Sequence, residues 1–339
     1  MKKSLLLFLT GIIALLLFLE VIFRLLPVST ATRSGYYIHP LILTYPAHHC
    51  FTAATGWDLK NVQRNCANNF GFLTDRDFVE NPQAIALIGD SFVEANMLRS
   101  EERLSVQLEA MLDNKPVSSL GGPGSSLLDY AERAKFAADK FGIRTFIFVL
   151  ERGDVKQALC GSGNIHGPCI DPISHVKKIE IQAPPGMLKQ IFRESALAQY
   201  IFSQLKFSFP SLGPYFKFRT QKPYLDLPAQ QSRAIAIDQI VMSFFGELSK
   251  IEGGQFFILV DPDRANLFSQ RPDEFDGLKV LENKALVHNV SVINVTPNFQ
   301  NYISRSGRFL EVGPYDRHWN RDATRVIAAE IAENLATIK

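Results

Sequence analysis

Five short, nearly uninterrupted apolar runs constrain this chain more than any other feature. They are Ala84-Ile85-Ala86-Leu87-Ile88, the run from near Pro116 to Leu120, Thr145 to Leu150, Gln255 to Val260 and Val290 to Val295. A strand that is apolar on both faces has to be covered on both faces, as in a parallel sheet between layers of helices. The intervening stretches supply those helices. Leu104, Leu108 and Met111 recur at helical spacing, and Leu127 to Lys140, Ile235 to Ile251, Phe275 to Val287 and Ala323 to Thr337 read the same way. The alternation predicts a three-layer α/β/α fold around a mostly parallel five-stranded sheet. In such sheets a site lies beyond the carboxyl ends of the strands.

The N-terminus carries a different signal. Lys2 and Lys3 precede Leu5 to Leu19, which holds no charge and is mostly Leu, Ile, Phe and Ala. Continued through Glu20 and Arg24 to Val28, it makes a helix long enough to cross a bilayer. Its positive end is expected in the cytoplasm, with everything after Val28 periplasmic or extracellular. Glu20 and Arg24 share a helix face and can pair at the outer interface, where Arg snorkels. The alternative is a cleavable signal peptide ending at Ser29-Thr30-Ala31, which exports the same domain. The expected organisation is a single-pass anchor over 1–28, an irregular extension over 29–80 and an α/β domain over 81–339. That domain carries an insertion at about 161–231, where Pro, Phe and Lys and helical patches such as Met187 to Leu205 break the alternation.

Charge excludes one class of partner. The chain holds 36 basic and 34 acidic residues, a net charge of +2, and no concentrated basic run, so nucleic acid is not an expected partner. The four cysteines, Cys50, Cys66, Cys160 and Cys169, fit an oxidising compartment. Three pairings are open, and Cys50 with Cys66 and Cys160 with Cys169 is the simplest. His48 and His49 beside Cys50 raise a zinc site as the alternative, but no CxxC pair or HExxH supports it. Neither metal nor cofactor is expected.

Two segments carry chemistry. Ser91 directly follows the first apolar run, in Gly89-Asp90-Ser91-Phe92. A serine at a strand end projects into the crevice where a nucleophile belongs. The G-x-S-x-G elbow occurs nowhere, and Gly-Asp-Ser alone is also ordinary turn chemistry. Just before the last helix stands Tyr315-Asp316-Arg317-His318-Trp319-Asn320. A serine nucleophile needs a base, and the base needs a group that fixes its tautomer. Asp316 and His318, two apart in a loop, can supply both, leaving Asn320 to cap the helix. Of the 7 histidines, only His318 has a carboxylate two residues before it. His39, His48 and His49 fall in the irregular extension, and His166, His175 and His288 read as surface or core histidines.

These segments together resemble the SGNH/GDSL hydrolase superfamily. The features are a strand ending in Gly-Asp-Ser, the turn Leu120-Gly121-Gly122-Pro123-Gly124, and the late Asp316-Arg317-His318-Trp319-Asn320. Asn68-Asn69-Phe70-Gly71-Phe72 and an anchor ending in Glu and Arg are similar to its membrane-tethered bacterial members. The resemblance covers the anchor and most of 66–155 and 255–339, but not the insertion. It implies a flavodoxin-like sheet, Ser91 as nucleophile, His318 as base and Asp316 as its orienting partner. It also implies an oxyanion hole from the backbone N–H groups of Ser91 and Gly121. A third donor is usually an Asn side chain after the third strand, but Gly153 stands there, with Asn164 or Arg152 as substitutes. The implied function is hydrolysis of acyl esters, above all acetyl esters, of envelope carbohydrate or lipid through an acyl-enzyme. An acidic residue two before the histidine is similar to polysaccharide O-acetyltransferases, so an O-acyltransferase is one alternative. A noncatalytic envelope scaffold on a decayed hydrolase fold is another, favoured by Gly153 and opposed by the intact Ser91, Asp316 and His318.

Overall fold

Ile85–Gly89, Val117–Gly121, Thr145–Leu150, Gln255–Val260 and Ser291–Ile293 form one five-stranded sheet in which every pairing is parallel. The computed structural model describes residues 2–162, 167–181, 185–205, 227–262, 264, 267–268, 277–314 and 316–337. The chain divides into two compact units, one of residues 1–33, 50–65 and 183–223, the other of 34–49, 66–182 and 224–339.

In chain order, α1 (Lys2–Leu25) is followed by β1 (Gly35–His39) paired with β2 (Ile42–Thr44), and by β3 (Cys50–Ala53) paired with β4 (Gln63–Cys66). Then come β5 (Ile85–Gly89), α2 (Ser91–Glu94), α3 (Leu104–Met111), β6 (Val117–Gly121), α4 (Leu127–Phe141), β7 (Thr145–Leu150) and α5 (Asp154–Gln157). The hairpin β8 (Pro168–Ile170) and β9 (Lys177–Ile179) precedes α6 (Met187–Glu194), α7 (Ala196–Ala198) and a π-helical turn over Gln199–Gln204. The chain closes with α8 (Leu227–Leu248), β10 (Gln255–Val260), α9 (Leu278–Val287), β11 (Ser291–Ile293) and α10 (Thr296–Ser306). The hairpin β12 (Glu311–Gly313) and β13 (Asp316–Trp319), then α11 (Arg321–Ala336), are its last elements.

The sheet order is β11-β10-β7-β5-β6. β6 lies on one side of β5 and β7 on the other, so the winding reverses between β5 and β7. That reversal opens a crevice at their carboxyl ends. Successive strand residues face opposite layers. Ala86, Ile88, Phe146 and Phe148 pack with α4, α8 and α9, while Ile85, Leu87, Ile147 and Val149 pack with α3, α10 and α11.

Three local expectations change. Residues 29–80 are not irregular throughout, because β1 to β4 run through them. Those strands have three to five residues and mixed burial, too few for a period of two to show. The last apolar run is shorter as a strand than it reads. β11 ends at Ile293, and Val295 caps α10, which has a proline in its first turn and buries Phe299. Asp316 and His318 lie on β13 rather than in a loop.

Among the described residues, one helix, Lys2–Leu25, is long and apolar enough to cross a membrane. None of its residues is buried.

Cys160 is disulfide-bonded to Cys169, at a sequence separation of 9. Cys50 and Cys66 are disulfide-bonded as well, and no cysteine is free. Closing so short a loop stabilises mainly by restricting the unfolded chain, by about 2–3 kcal/mol. The Cys160→Ser/Cys169→Ser double variant is expected to lose about that much in denaturant unfolding, with an m-value no smaller than the parent's. A midpoint identical to the parent's would show that the bridge adds nothing.

Candidate active site

Ser91 is placed by backbone packing at the end of β5. The strand stops at Gly89, Asp90 alone intervenes, and α2 begins at Ser91. The Asp90 carboxylate caps this helix by accepting from Phe92 N at 2.9 Å. So sharp a turn leaves no room for side chains at its corners. A Cβ on Gly89 would stand 2.5 Å from Val93 Cγ2 and 2.8 Å from Val149 O, and one on Gly121 would stand 2.3 Å from Glu94 N. The buried Arg133 guanidinium secures the strand end, donating to Gly89 O at 3.1 Å and to Ser125 Oγ at 2.8 Å.

The chain's other end completes the cluster. Asp316 Oδ1 accepts from the His318 backbone N at 3.0 Å and from its Nδ1 at 2.5 Å. With Nδ1 carrying that proton, Nε2 is left as the acceptor, and Ser91 Oγ donates to it at 2.8 Å. Asp90 Oδ2 is the weaker competitor for the same hydroxyl, at 3.4 Å. The β12–β13 hairpin is docked by its apolar and charged flank. The Phe92 ring lies 4.8 Å from the His318 ring and 4.9 Å from that of Trp319. Trp319 Nε1 donates to Asp261 Oδ1 at 2.8 Å, and Arg264 bridges Asp261 and Glu311 at 3.1 Å each while lying over Phe92. Burial pushes the Asp261 carboxyl up to about 6, against the pull of Arg264 and Trp319. Asn320 caps α11 by accepting from Asp322 N and Ala323 N at 3.0 Å each, which holds the hairpin's exit.

Ser91, Asp316 and His318 are therefore brought together from segments 227 residues apart. The expected oxyanion donors are met less directly. Gly122 N donates to Gly89 O at 3.1 Å, so in this ladder the N–H of Gly121 turns away from β5. Gly124 follows in the left-handed region at φ 68°. Gly153 offers no side chain, and a Cβ there would lie 2.7 Å from Glu151 Oε2 and 2.8 Å from Gln157 Nε2. Its backbone N donates to Glu151 Oε2 at 2.6 Å. Arg152 lies at the end of β7, close enough for its charge to favour the Asp261 carboxylate. Asn164 lies outside the described residues.

Solved structures of G-D-S-L lipolytic proteins are similar to this chain. One is a member of that family from Veillonella parvula, with a TM-score of 0.40 and 13% identity over 74% of this chain and 96% of its own. An acetyl xylan esterase, AlAXEase, matches with a TM-score of 0.40 and 11% identity over 74% of this chain and 98% of its own. A GDSL-like lipase from Bacteroides thetaiotaomicron matches with a TM-score of 0.35 and 10% identity over 77% and 92%. No protein-family model matches the sequence, and no curated protein matches it significantly. Likeness at this level decides neither chemistry nor substrate. Those rest on the side chains at the sheet's end.

Behind Ser91 stands a buried polar cluster that sequence reasoning missed. Glu94, the last residue of α2, accepts from the Tyr45 hydroxyl and from Asn96 Nδ2 at 3.3 Å. Tyr45 is itself clasped by the segment around Asn68. Asn68 Oδ1 accepts from Phe70 N and Phe72 N at 3.0 Å each, and Tyr45 N donates to Gly71 O at 2.9 Å. Gly71 has φ 79°, and a Cβ there would lie 2.0 Å from Tyr45 O, so only glycine fits this close approach. The Asn-Asn-Phe-Gly-Phe segment thus reaches the end of the Ser91 helix through one tyrosine. The one sequence signal was Glu94 itself, three residues past Ser91 with no surface to face.

Burial raises the Glu94 carboxyl from 4.5 to about 7, with the Tyr45 hydrogen bond and the charges of Arg103 and His318 opposing it. Between those two values the folded chain holds a proton that the unfolded chain has released. Glu94 therefore contributes a fall in stability as pH rises through that window. Melting curves should show that fall in the parent and a flatter profile in Glu94→Gln, where a neutral amide still accepts from Tyr45. Parallel profiles would mean that Glu94 is ionised throughout.

Proposed function

We propose that this chain is a membrane-tethered serine esterase of the SGNH/GDSL kind, acting on acyl esters of envelope carbohydrate or lipid, acetyl esters above all. The observation that carries the proposal is the unbroken hydrogen-bond relay from Ser91 Oγ to His318 Nε2 and from His318 Nδ1 to Asp316. In this reading the three form a catalytic triad. Ser91 Oγ attacks the ester carbonyl while His318 takes its proton, giving a tetrahedral oxyanion and an imidazolium. Asp316 holds the tautomer and stabilises the imidazolium. The carboxylates of Asp90 and Glu94 add to this field, since the His318 charge favours their ionised forms and the effect is mutual. Collapse of the intermediate passes the proton to the alkoxide leaving group and leaves an acyl-Ser91. Water, activated by His318, then releases the acid.

The oxyanion donors in this proposal are the N–H of Ser91 at the start of α2 and one from the Gly121–Gly124 turn, with Gly121 as the sequence-based candidate. No Asn is present at Gly153, and the missing donor lowers turnover by about 10²–10³ relative to a site with all three. The tether places the reaction at the outer face of the cytoplasmic membrane, with the N-terminal lysines inside.

A brief reaction with p-nitrophenyl acetate, quenched and analysed by mass spectrometry, is expected to show an acetyl adduct on the Ser91 peptide. Ser91→Ala and His318→Ala should both abolish it. Asp316→Asn should keep the fold and lower turnover by about 10⁴-fold, through the wrong histidine tautomer. Adding a sugar acceptor separates the chemistries. Acetate release at an unchanged rate marks a hydrolase, and faster ester consumption with acetylated sugar marks a transferase. If Ser91→Ala matches the parent on every ester, the fold serves as a scaffold.

Topology has its own check. Alkaline phosphatase fused after Lys339 should be active, and an active cytoplasmic reporter at the same junction would reverse the orientation.

A further inference from the structure

The smaller unit holds an apolar surface that the ester chemistry does not use. The last turns of α1 are bound to the helical insert by polar contacts. The Glu20 carboxylate accepts from Ser195 Oγ at 2.7 Å, from Ala196 N at 3.0 Å and from Leu197 N at 3.1 Å. It also pairs with Arg24 at 2.8 Å, and Arg24 donates in turn to Glu194 O at 3.1 Å. The Phe23 ring packs on Tyr200 at 4.5 Å, and the Tyr200 hydroxyl donates to Trp57 O at 3.2 Å. These bonds fix α6, α7 and the π-helical turn at the level where α1 leaves its apolar stretch.

Beyond those contacts the insert turns large apolar groups outward. Met187 is 79% exposed, Ile191 59%, Phe192 45%, Phe202 45% and the nearby Trp57 66%. On α6 the spacing sorts the residues into two faces. Met187, Ile191 and Phe192 fall within one arc, and Lys189, Gln190 and Arg193 fall opposite. A short helix with aromatic and aliphatic residues on one face and basic residues on the other suits the boundary between headgroups and acyl chains. Tryptophan and tyrosine at the end of a spanning helix belong to the same layer. The exposed apolar flank of α1, including Val21 and Leu25, adjoins this level, so the two surfaces can meet one solvent.

We propose that the insert over 186–204, with Trp57, lies in the outer interfacial layer of the bilayer that α1 spans, docked there by Glu20. Its partner is the phospholipid surface: acyl chains meet Ile191 and Phe192, while headgroup phosphates meet Lys189 and Arg193. The proposal rests on α1 being embedded. A test therefore has to separate the two.

The parent's cysteines are all disulfide-bonded, so an introduced cysteine carries the one free thiol. Two full-length variants, Phe18→Cys and Ile191→Cys, are labelled with an environment-sensitive dye. They are reconstituted in phosphatidylethanolamine/phosphatidylglycerol vesicles containing lipids spin-labelled either near the headgroup or deep in the chain. The label at 18 should lose fluorescence most to the deep spin label and the label at 191 most to the shallow one. Quenching at 18 with none at 191 overturns the interfacial insert and leaves the anchor standing. A label at 191 shielded from water yet unquenched by either lipid overturns it in favour of a second protein copy. No quenching at 18 removes the anchor itself.

Discussion

A helix can start one residue past the end of a strand only where its close approaches leave no room for a side chain. Gly89 and Gly121 make those approaches here: a Cβ on either would stand within 2.5 Å of α2. Ser91 is exposed to the crevice because of this close approach. Phe92 and Val93, the next two residues, are driven into the apolar layer beneath. The direction of the Ser91 hydroxyl is thus a property of the β5–β6 pairing, which sets Gly89 opposite Gly121. Everything that meets Ser91, from the His318 hairpin to the Tyr45–Glu94 cluster, is built against a helix one turn long.

The second organising constraint is buried charge. Asp90, Glu94, Asp154 and Asp261 are all buried around the carboxyl ends of the strands, and burial raises the pKa of each. An isolated carboxylate there would cost several kcal/mol, so each finds donors or a cation. Asp261 has Arg264 and Trp319, and Asp154 has the Tyr130 hydroxyl at 2.7 Å and Glu151 N at 2.8 Å. Arg133 brings a buried cation to the back of the same strand ends. Under the proposed chemistry the negative charge of Asp90 or Glu94, when ionised, favours the imidazolium that His318 becomes. It also opposes an anion at the carbonyl oxygen, so backbone N–H groups must carry that stabilisation.

The sheet, its helical layers and the meeting of Ser91, Asp316 and His318 were legible in the sequence. Continuous apolar runs are local signals of a parallel sheet, and Gly-Asp-Ser, ordinary turn chemistry by itself, gained its meaning from the strand before it and the late Asp316-Arg317-His318. What escaped was nonlocal or too short. β1 to β4 have too few residues to display a period. β11 stops short of the end of its apolar run, whose last residue, Val295, is already the N-cap position of α10. Tyr45 carries no sequence mark and Glu94 only its position three residues past Ser91, because their pairing arises from the Asn68 turn folding against Tyr45.

Asp316 and His318 share one short hairpin, two residues apart, and that hairpin is held by Phe92, Trp319 and Arg264 rather than by the five-stranded sheet. Under the proposed chemistry, opening it would remove the base and the group that orients the base in a single event, with the sheet intact. Small cooperative openings of this sort lie below global unfolding in free energy. Heat inactivation of such a site follows the hairpin's own equilibrium. A site built this way would fall silent at a temperature where the sheet's spectroscopic signature of folding has not begun to change.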